Sequence, residues 1–113
     1  MRLRNVWIAA TMLFAAAMLV AAQPALADAS ISVTIKNHRF QPAEVQAPAN
    51  TPILLRVKNL DATPMEFESV SLRVEKVVTG NSEGVIRLRA LEPGRYNFFD
   101  DFNPDANGVL VVK

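Results

Sequence analysis

From Ile31 to the C-terminus the chain is a succession of short runs in which apolar and polar residues alternate. Ile31, Val33 and Ile35 alternate with Ser32, Thr34 and Lys36. A period of two puts every second side chain on one face of a strand and is incompatible with a helix of similar burial. Similar runs recur at Ile53 to Asn59, Met65 to Ser69, Val74 to Val78, Val85 to Ala90, Arg95 to Asp100 and Gly108 to Lys113. In the Val85 to Ala90 run, Ile86, Leu88 and Ala90 share one face, while Arg87 and Arg89 share the solvated one. Ala43 to Gln46, between Pro42 and Pro48, reads as a short edge strand, because proline cannot donate to a central ladder. Ser69 to Glu75 has room for one turn of helix. The segment Thr79-Gly80-Asn81-Ser82 reads as a hairpin connection, and Leu91-Glu92-Pro93-Gly94 as a turn into the next strand. The chain therefore predicts an all-β, Greek-key β-sandwich of about seven strands in antiparallel pairing.

The first 27 residues are of another kind. Arg2 and Arg4 precede an apolar run from Val6 to Ala22, followed by Pro24-Ala25-Leu26-Ala27. A basic start, a short apolar stretch and a small-residue terminus form a secretory signal peptide. The expected organisation is residues 1–27 as the leader and residues 28–113 as one domain, exported to the periplasm. An uncleaved anchor is the competing reading, but the stretch is short for a span of ~20 residues. Removing 27 of 113 residues leaves 86 and takes away Arg2 and Arg4, so the formal charge passes from +1 to −1. That balance predicts neither a nucleic-acid partner nor, after cleavage, a membrane one.

The chain has no cysteine. Disulfides, thiolate metal sites and cysteine nucleophiles are excluded. His38 is the only histidine and lies in the polar turn Lys36-Asn37-His38-Arg39, where an exposed loop residue is the plain reading. No nucleophile–base pair and no phosphate-binding glycine loop accompany it. Phe67, Phe98, Phe99, Phe102 and Tyr96 read as the core and rim of the sandwich.

The C-terminal half resembles a known family. Leu91-Glu92-Pro93-Gly94-Arg95-Tyr96-Asn97-Phe98-Phe99, followed by Gly108-Val109-Leu110-Val111-Val112, is similar to the closing strands of cupredoxins, L-x-P-G-x-Y-x-[FY]-x-C and G-x-[LIV]-x-V. Carried over residue by residue, the resemblance puts the family's first His at Met65, its Cys at Asp100 and its second His at Asn103. The short loop Pro104 to Asn107 has no counterpart of the axial Met. A blue-copper centre needs a thiolate with two imidazoles, so this is not a blue electron carrier.

Within that family, Asp61 to Ser69, Glu75 to Val78 and Phe98-Phe99-Asp100-Asp101-Phe102 resemble the thiol-free cupredoxin-like proteins of bacterial periplasmic iron uptake. That subgroup commonly reads E-F-E-S-H-D and F-F-x-[DE]-F-H. Val70, Ser71 and Asn103 stand here at the places of its His-Asp pair and final His. The resemblance implies a copper- and iron-binding accessory of ferrous-iron uptake with a ferroxidase-like role. Its implied partners are a periplasmic iron-binding protein and an iron permease. Its implied cofactor is a copper or iron ion, with no organic cofactor. The implied ligands are Met65, Asp100 and Asn103 at a copper-like position, and Glu66, Glu68 and Asp101 at an acidic iron position, with His38 as a further candidate. Glu66 and Glu68 share a strand face about 7 Å apart. The same acidic residues also fit a solvated surface, and the module then works without metal as a protein-binding or scaffolding component.

Overall fold

The computed structural model describes residues 11–13, 15–18 and 28–113, and the expected leader lies largely outside them. Nine strands follow in chain order: β1 (Ala29–Lys36), β2 (Arg39–Phe40), β3 (Glu44–Ala47), β4 (Ile53–Asn59), β5 (Met65–Ser69), β6 (Val74–Val78), β7 (Ser82–Leu88), β8 (Gly94–Asp100) and β9 (Asn103–Val112). They form two sheets, β2-β1-β4-β7 and β3-β9-β8-β5-β6, packed as a sandwich. The fold is all-β, as the alternation requires, with two more strands than expected. No helix among the described residues is long and apolar enough to cross a membrane.

Alternation translates directly into burial. In β4, Ile53, Leu55, Val57 and Asn59 point inward, and in β7, Gly84, Ile86 and Leu88 do the same. Ala90, expected on that inner face, lies beyond the strand and is exposed. Phe40 from one sheet meets Phe98 and Phe67 from the other edge-to-face, at 4.8 and 6.4 Å between ring centroids, while Phe67 and Phe98 stack at 5.0 Å. Such pairs add to the area term that holds the two sheets together. Phe102 is nearly half exposed and belongs to the rim.

Three local expectations change. The pairing is mixed, because β1 runs parallel to β4 and β3 parallel to β9. The early strands change sheets, so their neighbours come from later in the chain. Val70–Arg73 is a turn joining β5 to β6, not a helical turn. Arg73 takes a left-handed conformation (φ 55°), and Ser69 Oγ accepts the Leu72 N–H at 3.2 Å. Thr79–Asn81 is not a hairpin either, since it carries the chain from the edge of one sheet to the edge of the other. Buried Asn59 pins that corner, its Nδ2 donating to the carbonyls of Thr63, Val78 and Thr79, while Asn81 N–H donates to Asp61 O.

Candidate functional site

Strand β5 lies between β6 and β8 in the five-stranded sheet, with alternating burial along Met65 to Ser69. Met65, Phe67 and Ser69 point into the sandwich, and Glu66 and Glu68 face outward, half-buried. The register sets Glu68 opposite Glu75 of β6. On the other side, β8 runs beside β5 as far as Asp100, and Asp101 N–H donates to Glu66 O at 2.9 Å. Asp101 thereby comes to the outer face. One carboxylate oxygen from each of Glu66, Glu68 and Asp101 lies within 4.8 Å of the others.

The electrostatics record this crowding. Desolvation, then the charges of Asp101, Glu75 and Asp100, raise the Glu66 carboxyl above its ordinary value. Glu68 is raised by desolvation, then by Asp101, by Glu75 through both its charge and a hydrogen bond, and by Glu66. Like charges at this spacing disfavour ionisation of one another. A divalent cation among the three oxygens would relieve that repulsion, and all-oxygen donors suit hard ions.

Asp100 is different in kind. It is fully buried at the end of β8, next to a register shift between Phe99 and Asp100. Its Oδ1 accepts the N–H groups of Glu66 and Phe102, each at 3.0 Å, and its Oδ2 accepts Asn103 Nδ2 at 3.4 Å. Asn103 is therefore beside Asp100, and Met65 is sealed in the core at 2% exposure.

His38 is not part of the outer carboxylate group. It sits in the β1–β2 turn, and both Asn37 (φ 52°) and His38 (φ 56°) are left-handed. Their N–H groups are bound by the two oxygens of Asp61, at 2.7 and 2.9 Å. Those hydrogen bonds, the one from His38 first, hold the Asp61 carboxyl below its usual range. His38 also borders a cleft of about 430 Å³ with Phe102, Asn103, Pro104 and Asp105.

Glu75 and Asp61 belong to these arrangements and were not singled out by sequence reasoning. Glu68 and Glu75 are equidistant from the Val70–Arg73 turn, and that symmetry was the available signal for Glu75. For Asp61 the signal was weaker, an Asp near a turn with an N–H to bind.

Comparison with known proteins agrees with this architecture. The family model for the cupredoxin-like domain matches residues 9–112. An uncharacterized protein of Rickettsia prowazekii (strain Madrid E) is 42% identical over 84 residues, 74% of this chain and 67% of that protein. Among solved structures, auracyanin A, a blue copper protein of Chloroflexus aurantiacus, superposes with a TM-score of 0.64 at 15% identity, over 77% of this chain and all of that one. The purple cupredoxin of Nitrosopumilus maritimus gives 0.57 at 19%, over 76% of this chain and 100% of that chain. The metal-binding domain of the Cu(I)-exporting P-type ATPase CopA of Streptococcus pneumoniae D39, solved with Cu(I), gives 0.63 at 19%, over 74% of this chain and 84% of that chain. At such identities the structural likeness speaks for the fold. The family match spans all nine strands, and the chain belongs to the cupredoxin-like domain family.

Proposed function

We propose that the chain is a periplasmic metal-binding protein that serves ferrous-iron uptake, holding the ion as cargo on its outer-face carboxylates. The observation that carries this reading is the convergence of Glu66, Glu68 and Asp101 within 4.8 Å. Hard oxygen donors of this kind suit divalent ions such as Mn(II) and Fe(II) and do not suit the soft Cu(I). The resemblance of Asp61 to Ser69 and of Phe98 to Phe102 to the thiol-free iron-uptake subgroup supports iron as the cargo. Export through a leader of residues 1–27, and hand-over to a periplasmic iron-binding protein and an iron permease, belong to the same proposal.

Copper in the family's manner does not fit these residues. The chain has no thiolate, its single imidazole lies in another turn, and the Asp100 oxygens are taken up by the protein's own donors. Oxidation of Fe(II) releases an electron that needs an acceptor, so no ferroxidase step is assigned to these side chains. The proposal covers binding and delivery.

Anaerobic calorimetry with Fe(II), and with Mn(II) as a redox-silent substitute, tests it. One ion should bind per chain, and Glu66→Gln or Glu68→Gln should weaken binding about tenfold or more, since each removes one charged ligand. No heat with either ion overturns this function. The closed hydrogen-bonding of Asp100 favours a second reading, a metal-free module that binds a protein partner. Capture of an iron-binding partner by ion-free protein would then be expected.

A further inference from the structure

We propose that Asp100 is a built-in replacement for a metal, a buried carboxylate that braces the end of β8 against β5 so that the inner Met65–Asp100–Asn103 position takes no ion. The burial of a carboxylate is costly unless hydrogen bonds satisfy its oxygens. Asp100 is 0% exposed, and no cation is needed to explain it. Glu66 N–H and Phe102 N–H converge on Oδ1, and the Asn103 amide reaches Oδ2. These donors come from the β8–β9 turn (Phe102), from the first residue of β9 (Asn103) and from the neighbouring strand β5 (Glu66). They tie together the segments that a shared metal would otherwise join at the positions of Met65, Asp100 and Asn103.

The brace has a second consequence. With Asp100 turned inward and held, the next residue emerges on the opposite face, where Asp101 N–H meets Glu66 O at 2.9 Å. Asp100 is thus a positioning residue for the outer carboxylates and not a ligand.

Substitutions at Asp100 separate the two roles. Asp100→Ala leaves the part-buried N–H groups of Glu66 and Phe102 without this acceptor and should lower the melting temperature of ion-free protein by about 5–10 °C. Asp100→Asn keeps an acceptor oxygen and can pair with a rotated Asn103 amide, so it should recover most of that loss. A ligand role would be lost with both variants. Cu(II) is the probe for the metal question, titrated into a Glu66→Gln/Glu68→Gln/Asp101→Asn background whose folding is checked by circular dichroism. Any residual Cu(II) affinity should stay within twofold when Asp100→Asn is added. A tenfold loss, or an ion-free melt indifferent to Asp100→Ala, overturns the proposal.

Zinc gives a spectroscopic check. Saturating Zn(II) added to the ¹⁵N-labelled triple variant, which lacks the outer carboxylates, should leave the Asn103 side-chain amide resonances in place, and their displacement would put an ion on Asp100. If the wild type binds no ion, the outer-face function fails while the brace stands, because the ion-free melts still decide it.

Discussion

Glu68 shows how a single side chain can oppose the fold that holds it. Its carboxyl is raised by desolvation and by the acidic groups facing it, Glu66 on its own strand, Glu75 on β6 and Asp101 after β8. A folded value above the unfolded one, near 4.5, means that the native state holds the proton more tightly. The resulting stability is fully present below the unfolded value and is lost as pH rises through the higher folded one. Ion-free protein should therefore gain melting temperature from Glu68→Gln at pH 7, and the gain should fade towards pH 4. Paired melts of the two proteins check this, and a Gln variant less stable than wild type at pH 7 would contradict it. Asp61 runs the other way, since its lowered carboxyl contributes above about 3.8 and less in acid. The difference between the two proteins cancels that contribution. Glu66 and Glu68 were legible in the sequence because alternation alone puts them on one face. The brace at Asp100 was not legible, because whether a carboxylate is exposed or buried among N–H donors depends on strands more than thirty residues apart.

Strand β9 shows what element-level reading recovers and what it misses. Its second half, Gly108 to Val112, is plain from the apolar run, but the strand begins at Asn103. Residues 104–107 read from the sequence as a loop, and proline removes a ladder donor. The proline is tolerated because residues 104–106 have no ladder partner: β8 pairs Asp100 with Asn103 and Phe99 with Asn107 across a register shift, and β3 joins β9 only from Val109 onward. Gly108 is the tightest point of the element. It faces Phe98 across the β8–β9 pair, and a Cβ there would lie 2.5 Å from Phe98 Cε2 and 2.8 Å from the carbonyl oxygen of Ala43. Phe98 is already packed between Phe40 and Phe67, and the backbone oxygen cannot swing away. Gly108→Ala should destabilise the fold by about 1–3 kcal/mol, the usual effect of overpacking. A lower urea midpoint with an unchanged slope is the expected result. An unchanged midpoint would mean that the β3–β9 edge can yield.

At the scale of the molecule, the sandwich sets its two faces to different tasks. Inward residues of both sheets form one apolar core, and the order of strands determines which charges meet outside it. Local sequence did not reveal that order, because a short turn such as Thr79–Asn81 can close a hairpin or cross between sheets with the same residues. The crossing here depends on Asn59 and Asp61, which hold the corner from a different strand end. By carrying β7 away to the other sheet, it leaves β6 as the edge beside β5, with Glu75 at the rim of the acidic group. The fold thus carries a repulsive cluster that weakens it, an arrangement common where a site's task opposes stability. If that task is holding a cation, the ion should restore the stability that repulsion removes. An ion binding only the folded chain stabilises it by RT ln(1 + [L]/Kd), about 2.7 kcal/mol at a concentration of 100 Kd. Mn(II) should accordingly raise the melting temperature by several degrees at pH 7. It should do so far less near pH 4, where protons compete for the same oxygens. Glu68→Gln should take away much of the ion-dependent rise while raising the ion-free value. A metal-free partner-binding module would show the second effect without the first, so the two melts together decide between the readings.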